Sequence, residues 1–311
     1  MSMQAAVLMD PISGINPRKD TTFAMLLAAR ARGHDCWVFT LRDLWLKDGR
    51  AYGRLQPVAV QDQDKDFCLL GKAEVRPLDS FQVVLMRKDP PVDLDYLNAC
   101  HILEHAGTWV VNDPAGLRHA NEKLFPLQFS SYLPPYLVSS DMEEMRTFLS
   151  EHGEIVVKPL GARGGEGVFY LHEKDPNVGS ILETVTGWGR HFVMAQRYLP
   201  AIREGDKRIL LVDGEPIPGC VLRVPAAHDF RGNLVAGAKA QPAELTERDR
   251  EICAAIGPLL RGRGLLFVGI DVIGGHLTEI NVTSPTGARE IQRFFQVDAA
   301  EHFWQRLERG R

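Results

Sequence analysis

The sequence lacks the features that mark several large classes of protein. Its five cysteines (Cys36, Cys68, Cys100, Cys220 and Cys253) lie far apart and form no C-x-x-C pair. That argues against a disulfide framework or a cysteine-built metal site, and it suits a reducing compartment. No apolar run approaches the roughly 20 residues that span a bilayer. Met1 to Met9 lacks the basic segment and cleavage site of a signal peptide, so a cytoplasmic location is expected. Neither sign of charge dominates. Lys and Arg number 36 against 40 Asp and Glu, a net charge of -4, and no concentrated basic face suggests nucleic acid. Repeats and low-complexity stretches are missing as well.

What remains is an ordinary globular composition, 45% hydrophobic and 24% charged over 311 residues. A single core seldom grows that large, so two or three domains are expected. The first part reads as alternating strands and helices. Ala5–Met9 and Val83–Met86 are short apolar runs suited to buried parallel strands. Thr21–Arg32 reads as a helix ended by Gly33, Asp35–Thr40 and Trp109–Val111 as strands, and Asp95–Ala106 as a helix. This alternation predicts an α/β fold with a doubly wound parallel sheet, whose ligands sit beyond the carboxyl ends of the strands. Those ends carry the loops Asp10–Lys19 and Arg87–Pro91.

A second unit is expected from about Lys123. Ser140 with Glu143 resembles a capping box, and Gly153 fits the end of that helix. Strands follow at Ile155–Lys158, Val168–Leu171 and Phe192–Gln196, with a helix at Val178–Val185 between the last two. A third, strand-rich unit is expected from about Pro200. Its strands are Arg208–Val212, Ile217–Val224 and the pair Leu266–Ile273 and His276–Asn281, joined by Gly274-Gly275 as a hairpin. Pro225–Pro242 lacks apolar periodicity. It is long for a plain connection and reads as a mobile lid.

Three groups of residues suggest chemistry. Lys158-Pro159 leads into Gly161-Ala-Arg-Gly164-Gly165-Glu-Gly167, where glycines let backbone N–H groups converge on an anion beside an ammonium. The stretch matches neither G-x-G-x-x-G nor the Walker pattern, and a bare hairpin turn would look similar. Period two puts Glu279 and Asn281 on one face of their strand, and with a tight turn Asp271 on the other strand of the expected hairpin can come opposite them, a set of hard oxygen donors suited to magnesium. An exposed polar face is the plainer alternative, but both strands are otherwise apolar. His101-Ile-Leu-Glu104-His105 matches a zinc-protease pattern, yet no third ligand is evident and a solvated helix face explains it better.

Taken in order along the chain, several segments carry a family resemblance. They are Leu85-Met-Arg-Lys-Asp-Pro-Pro91, Asn121-Glu-Lys-Leu-Phe125, Met194-Ala-Gln-Arg-Tyr-Leu-Pro-Ala201, Gly205-Asp-Lys-Arg208, Val212-Asp-Gly-Glu-Pro216, Arg231-Gly-Asn-Leu234 and Leu277-Thr-Glu-Ile-Asn-Val-Thr-Ser-Pro-Thr286. Together they resemble the bacterial glutathione synthetases, which are carboxylate–amine ligases of the ATP-grasp class. The resemblance implies a three-domain ATP-grasp fold: an N-terminal substrate domain (1–122), a lid domain (123–199) and a metal-binding, catalytic domain (200–311). By the same resemblance Lys123, Lys158, Gly164, Gly165, Gln196, Tyr198, Leu199 and Asp206 hold ATP, and Asp271, Glu279 and Asn281 hold magnesium or manganese. Arg208, Arg223 and Arg231 serve the catalytic step. Asn16, Lys19, Arg87, Gly232, Asn233, Ser284, Thr286 and Arg289 hold γ-glutamylcysteine and glycine. A homo-oligomer, dimer or tetramer, is also implied, with no nucleic-acid or membrane partner. The glycine-rich stretch departs from the Asp-Gly-Met-Gly-Gly that the family often shows, and Gly287-Ala288 is smaller than expected after Ser-Pro-Thr. The rival readings are another ATP-grasp peptide or amino-acid ligase, and a nucleotide-binding regulatory protein without turnover.

Overall fold

The computed structural model describes residues 2–161, 164–226, 229, 231–232 and 237–310. Its first sheet is built on four parallel strands: β1 (Gln4–Leu8), β2 (Asp35–Phe39), β7 (Val83–Met86) and β8 (Trp109–Val111), in the order β2-β1-β7-β8. Successive side chains point to opposite faces. Ala5, Val7, Val83 and Leu85 therefore pack with Phe23, Met25 and Leu26 of helix α1 (Thr21–Ala31). Ala6, Leu8, Val84 and Met86 pack instead with Tyr96, Ala99 and Leu103 of α2 (Leu94–Leu103). Helices on both faces make this sheet doubly wound, as the sequence predicts. α2 ends earlier than the predicted Asp95–Ala106.

The segment between β2 and β7 is strand-rich, a feature the sequence hides. β3 (Leu44–Lys47), β4 (Arg50–Val60), β5 (Cys68–Leu70) and β6 (Glu74–Pro77) form an antiparallel margin along β2. β4 does alternate, burying Ala51, Gly53 and Leu55, but Gly53 and Pro57 break its apolar pattern. At Gly53 a Cβ would sit 2.9 Å from Leu55 Cδ1, so the Leu55 side chain fills the space beside the glycine.

The second sheet is antiparallel, in the order β11-β10-β12-β9, from β9 (Tyr136–Ser139), β10 (Glu154–Pro159), β11 (Phe169–His172) and β12 (Val193–Arg197). Helix α3 (Pro114–His119) precedes it, and α4 (Met142–His152) and α5 (Val178–Thr186) cover it. The cap of α4 differs from expectation. Asp141, not Ser140, accepts from the N–H groups of Glu143 and Glu144. A carboxylate next to the helix satisfies two of its free donors and complements its dipole.

The third sheet runs β16-β15-β13-β17-β18, with β14 (Glu215–Pro216) beside β13. Its strands are β13 (Asp206–Val212), β15 (Cys220–Val224), β16 (Lys239–Ala243), β17 (Phe267–Ile273) and β18 (His276–Asn281), all antiparallel. The predicted hairpin is present, with Gly274 and Gly275 both at positive φ. The expectation of one uninterrupted loop over Pro225–Pro242 is corrected: Lys239–Pro242 pairs with β15 as most of β16. Residues 227, 228, 230 and 233–236, within that lid reading, lie outside the described residues.

The cores join the first sheet to the third. One buried cluster contains Ala6, Leu8 and Val84 together with Ile209, Leu211, Ile270 and Ile280. Another unites Val7 and Leu85 with Leu210 and Phe267, along with Ile291 of α7 (Ala288–Phe295) and Trp304 of α8 (Ala299–Glu308). α6 (Glu247–Gly262) adds Ile252, Ile256 and Leu260 to the first cluster. Buried Asn112 pins the two sheets together. Its amide donates to the carbonyls of Phe267 and Val282 at 2.9 and 2.7 Å and accepts from Phe267 N–H at 2.9 Å. The second sheet has a separate core, including Met145, Leu149, Ile155, Leu171, Leu182 and Val193.

Candidate active site

A cavity of about 740 Å³ opens between the second and third sheets. The strand register explains its floor. Asp206 lies opposite Arg223, Arg208 opposite Asp271, and Asp271 opposite Glu279; Asn281 follows two residues after Glu279. Even spacing puts all six polar side chains on one face of an otherwise apolar sheet. Buried charges persist only when paired, and Asp206, Arg208, Arg223 and Asp271 are. Arg208 grips Asp271 in a fork, Nε to Oδ1 at 2.6 Å and Nη2 to Oδ2 at 2.9 Å. Arg223 Nη2 lies 3.0 Å from Asp271 Oδ2 and also pairs with Asp206. Asn281 Nδ2 donates to Asp271 Oδ2 at 3.3 Å.

This network sets the protonation of its members. Burial pushes the Asp271 carboxyl up, but the guanidiniums of Arg208 and Arg223 outweigh it and hold it well below the usual carboxylate range. Burial wins at Asp206, which is raised to about 6 against the pull of Arg223. Asp206 Oδ1 and Arg223 Nε are buried with no hydrogen-bond partner. Unpaired polar atoms lining a cavity are places where a ligand's hydroxyl or anionic oxygen can bind.

The roof comes from the second sheet. Lys158 and Gln196 share a face across β10 and β12, and Lys158 Nζ donates to Gln196 Oε1 at 2.8 Å. Burial lowers the Lys158 pKa, while Glu279 and other acids oppose it. Gly164 and Gly165 line the cavity at φ of 61° and 82°, a region that glycine alone enters freely. Tyr198 and Leu199 continue the wall. Lys123, 4% exposed, enters from the segment before β9. Arg231 closes one side. It pairs with Asp229 and donates from Nη1 to the Gly165 carbonyl at 3.3 Å. Gly232 packs tightly, since a Cβ there would lie 2.7 Å from the Asp206 Cβ.

The predicted substrate residues divide into three groups. Ser284 and Thr286 line the cavity with Gly232. Asn16, Lys19, Arg87 and Arg289 lie outside its lining. Asn16 and Lys19 are exposed in the turn before α1. Arg87 is buried, donating to Thr22 Oγ1 at 3.1 Å and to the Pro285 carbonyl at 3.3 Å, so it touches the cavity wall from behind. Arg289 pairs with Asp62 in the β4–β5 loop. Asn233 lies outside the described residues. The discarded zinc motif is otherwise occupied. Glu104, at the end of α2, pairs with Arg118 of α3 at 2.8 Å and lies 3.5 Å from the exposed His101.

Sequence reasoning passed over Glu122, although the residue stands inside a quoted motif. Its carboxyl lines the cavity. Burial, and next the charge of Glu279, raise it to about 7. Asp249 was also missed. This buried acid caps α6 and holds Lys207, the neighbour of Arg208, at 2.5 Å. The donor set of Asp271, Glu279 and Asn281 fits a hard divalent cation, for it offers oxygens from adjacent strands at a cavity wall.

Comparison with known proteins agrees with this architecture. Residues 3–118 match the family model for the N-terminal domain of prokaryotic glutathione synthetase, and residues 122–296 match that for its ATP-grasp domain. The glutathione synthetase of Coxiella burnetii is 49% identical over 306 residues, covering 97% of this chain and 95% of that protein. That of Escherichia coli O127:H6 is 47% identical over 299 residues, covering 95% and 94%. Among solved structures, D-cycloserine synthetase DcsG superposes with a TM-score of 0.71 at 17% identity, over 98% of this chain and 99% of the other, a likeness of fold. By matches that run almost from end to end, the chain belongs to the prokaryotic glutathione synthetase family.

Proposed function

We propose that the protein joins the cysteinyl carboxylate of γ-glutamylcysteine to the amine of glycine, using ATP and giving glutathione, ADP and phosphate. One observation carries the reading furthest. Two lysines, a glycine-rich turn, a permanently charged guanidinium pair and an oxygen-donor hairpin converge on a single cavity. Such a site can neutralise phosphate charge and align an attack, which is the protein's main task in phosphoryl transfer.

In this reading Lys123, Lys158 and the N–H groups around Gly164 and Gly165 hold the phosphates. Gln196, Tyr198 and Leu199 border the adenine, and the unpaired Asp206 Oδ1 accepts a ribose hydroxyl. Asp271, Glu279 and Asn281 hold magnesium or manganese, which supplies positive charge at the phosphates when bound. Arg208 stabilises charge on the phosphoryl group as it passes to the substrate carboxylate, helped by Arg223 and by Arg231 from the side. The resulting acyl phosphate must be shielded from water until the glycine amine attacks it. The second sheet (123–199) acts as the lid, the first (1–122) as the substrate domain, and the remainder (200–311) as the catalytic floor. Ser284, Thr286 and Gly232 contact the peptide, with Asn16, Lys19, Arg87, Asn233 and Arg289 completing that end. The same reading includes a cytoplasmic location and a homo-oligomer. No helix among the described residues is long and apolar enough to cross a membrane.

An ADP-release assay over a panel of dipeptides and amines tests the proposal. Release that requires γ-glutamylcysteine and glycine together is the expected result. Fast release with another pair and none with this one would keep an ATP-grasp ligase and overturn the substrates.

A further inference from the structure

The Asp271 carboxylate is crowded with donors. Nε and Nη2 of Arg208, Nη2 of Arg223 and Nδ2 of Asn281 all point at its two oxygens, and three of the four converge on Oδ2. A carboxylate offers about four lone-pair positions. Little of Asp271 is therefore left for any other electrophile, and both arginines bring a positive charge that repels a cation. Glu279, directly across the strand pair, forms no such ion pair among the described residues. Asp271 is thus the guarded member of the proposed metal set, and Glu279 the open one.

We propose that Arg208 and Arg223 are resident counterions of Asp271 that trade partners when nucleotide arrives, so that cation and nucleotide bind as a coupled pair. The proposal rests on the reading of this cavity as a metal-nucleotide site. Phosphate oxygens offer the guanidiniums a new anion. As they turn toward it, the Asp271 oxygens become free to share a divalent cation with Glu279. Three features favour the exchange. Arg223 already bridges Asp206 and Asp271, and its Nε is unsatisfied, so it has a partner to retain and a donor to spare. Arg208 Nη1 reaches only to the Thr286 carbonyl at 3.3 Å, a long contact at the cavity wall. The arrangement also keeps a buried carboxylate paired at every stage, which avoids the cost of an isolated charge. Linkage then requires reciprocity: whatever factor nucleotide adds to cation affinity, cation adds to nucleotide affinity.

Binding of Mn²⁺ followed by electron paramagnetic resonance tests this without turnover. Wild-type protein is compared with Arg208→Gln, Arg231→Gln and Asp271→Asn, each with and without a non-hydrolysable ATP analogue, and folding is checked by thermal melting. Without nucleotide, Arg208→Gln is expected to bind Mn²⁺ about tenfold more tightly than wild type, because one guarding charge is gone. Arg231→Gln removes a nearby cation that does not touch Asp271, and it should stay within about twofold of wild type. The analogue should tighten Mn²⁺ binding strongly in wild type and less in Arg208→Gln. Equal nucleotide-free affinity in wild type and Arg208→Gln, or equal tightening by the analogue in wild type and Arg208→Gln, overturns the exchange. If Asp271→Asn binds Mn²⁺ like wild type in the presence of the analogue, the metal placement itself is wrong, and the exchange falls with it. Should Arg208→Gln not fold, Arg208→Lys replaces it, since a point charge cannot hold both oxygens. Tighter nucleotide-free binding then supports the proposal and unchanged binding overturns it.

Discussion

The floor and the roof of the cavity are built differently. The floor belongs to a body in which the first and third sheets share two buried clusters and are pinned by Asn112. The roof sheet closes around a small core of its own. Among the described residues it touches the rest through Asn121 Nδ2 to the Leu160 carbonyl at 3.3 Å, Arg231 to the Gly165 carbonyl at 3.3 Å, and Tyr136 of β9, which packs against the floor's first cluster. A large shared core resists deformation and keeps charges where they were placed. A separately cored unit can move as a body. The contrast suits a reaction in which charge stabilisation must be preorganised while substrates still enter and products leave.

The largest expected effect lies on the floor. Glu279→Gln should cut turnover by about 10²–10³-fold while changing the melting temperature little, because its carboxylate sits among other acids and its loss removes repulsion rather than packing. Steady-state kinetics beside calorimetry checks this. Near-normal activity would move the metal site elsewhere and undo the idea of a preorganised floor.

Two core truncations sharpen the comparison. Ile270→Ala in the shared cluster and Leu182→Ala in the roof core should each cost about 2–5 kcal/mol locally. Hydrogen exchange separates them. Ile270→Ala should lower protection in the first and third sheets together, and Leu182→Ala within 136–197 only. Uniform loss in both variants would mean that the roof is not a separate unit.

Much of this contrast was legible in the sequence, for identifiable reasons. β1 and β7 are continuous apolar runs, and parallel strands buried on both faces read that way. The Gly274-Gly275 pair announces the hairpin, but not the register shift between Asp271 and Val272 that brings Asp271 opposite Glu279 rather than Thr278. The ion pairs of the floor were not legible. Asp271 meets Arg208 only through the pairing of β13 with β17, 63 residues apart, and Arg289 meets Asp62 across 227 residues. The margin β3–β6 stayed hidden because Gly53 and Pro57 interrupt its alternation. Glu122 stayed hidden because its burial, and next the charge of Glu279 from the third sheet, arise only in the assembled fold. The sequence carried residue types and local periods, whereas the long-range pairings depended on the assembled fold.

The roof's glycine turn offers a smaller test. Gly165→Ala forces a side chain onto φ of 82°, at about 1–2 kcal/mol of local strain. The expected result is a several-fold rise in KM for ATP, with KM for the dipeptide nearly unchanged. Equal rises in both would show that the turn supports the whole cavity rather than the nucleotide end.

The smallest effect concerns pH and the seam between roof and floor, where Glu122 stands just before Lys123. In the folded protein its carboxyl is raised from 4.5 to about 7, first by burial and next by the negative charge of Glu279. The folded state therefore holds this proton more tightly than the unfolded chain does. Stability associated with the proton is fully present below about pH 4.5 and is lost as pH rises through about 7. Asp206, raised to about 6, acts in the same direction. The nucleotide-free protein should accordingly melt at a lower temperature at about pH 8 than at about pH 5. Glu122→Gln carries no titrating proton, so its melting temperature should fall less over that range, with the remaining slope due to Asp206. A divalent cation bound beside Glu279 would offset the charge that helps raise Glu122. Magnesium with an ATP analogue should then flatten the wild-type profile toward that of the variant. Parallel profiles for wild type and Glu122→Gln, with or without ligand, would mean that Glu122 is solvated at the seam and that roof and floor meet there less closely than the structure indicates.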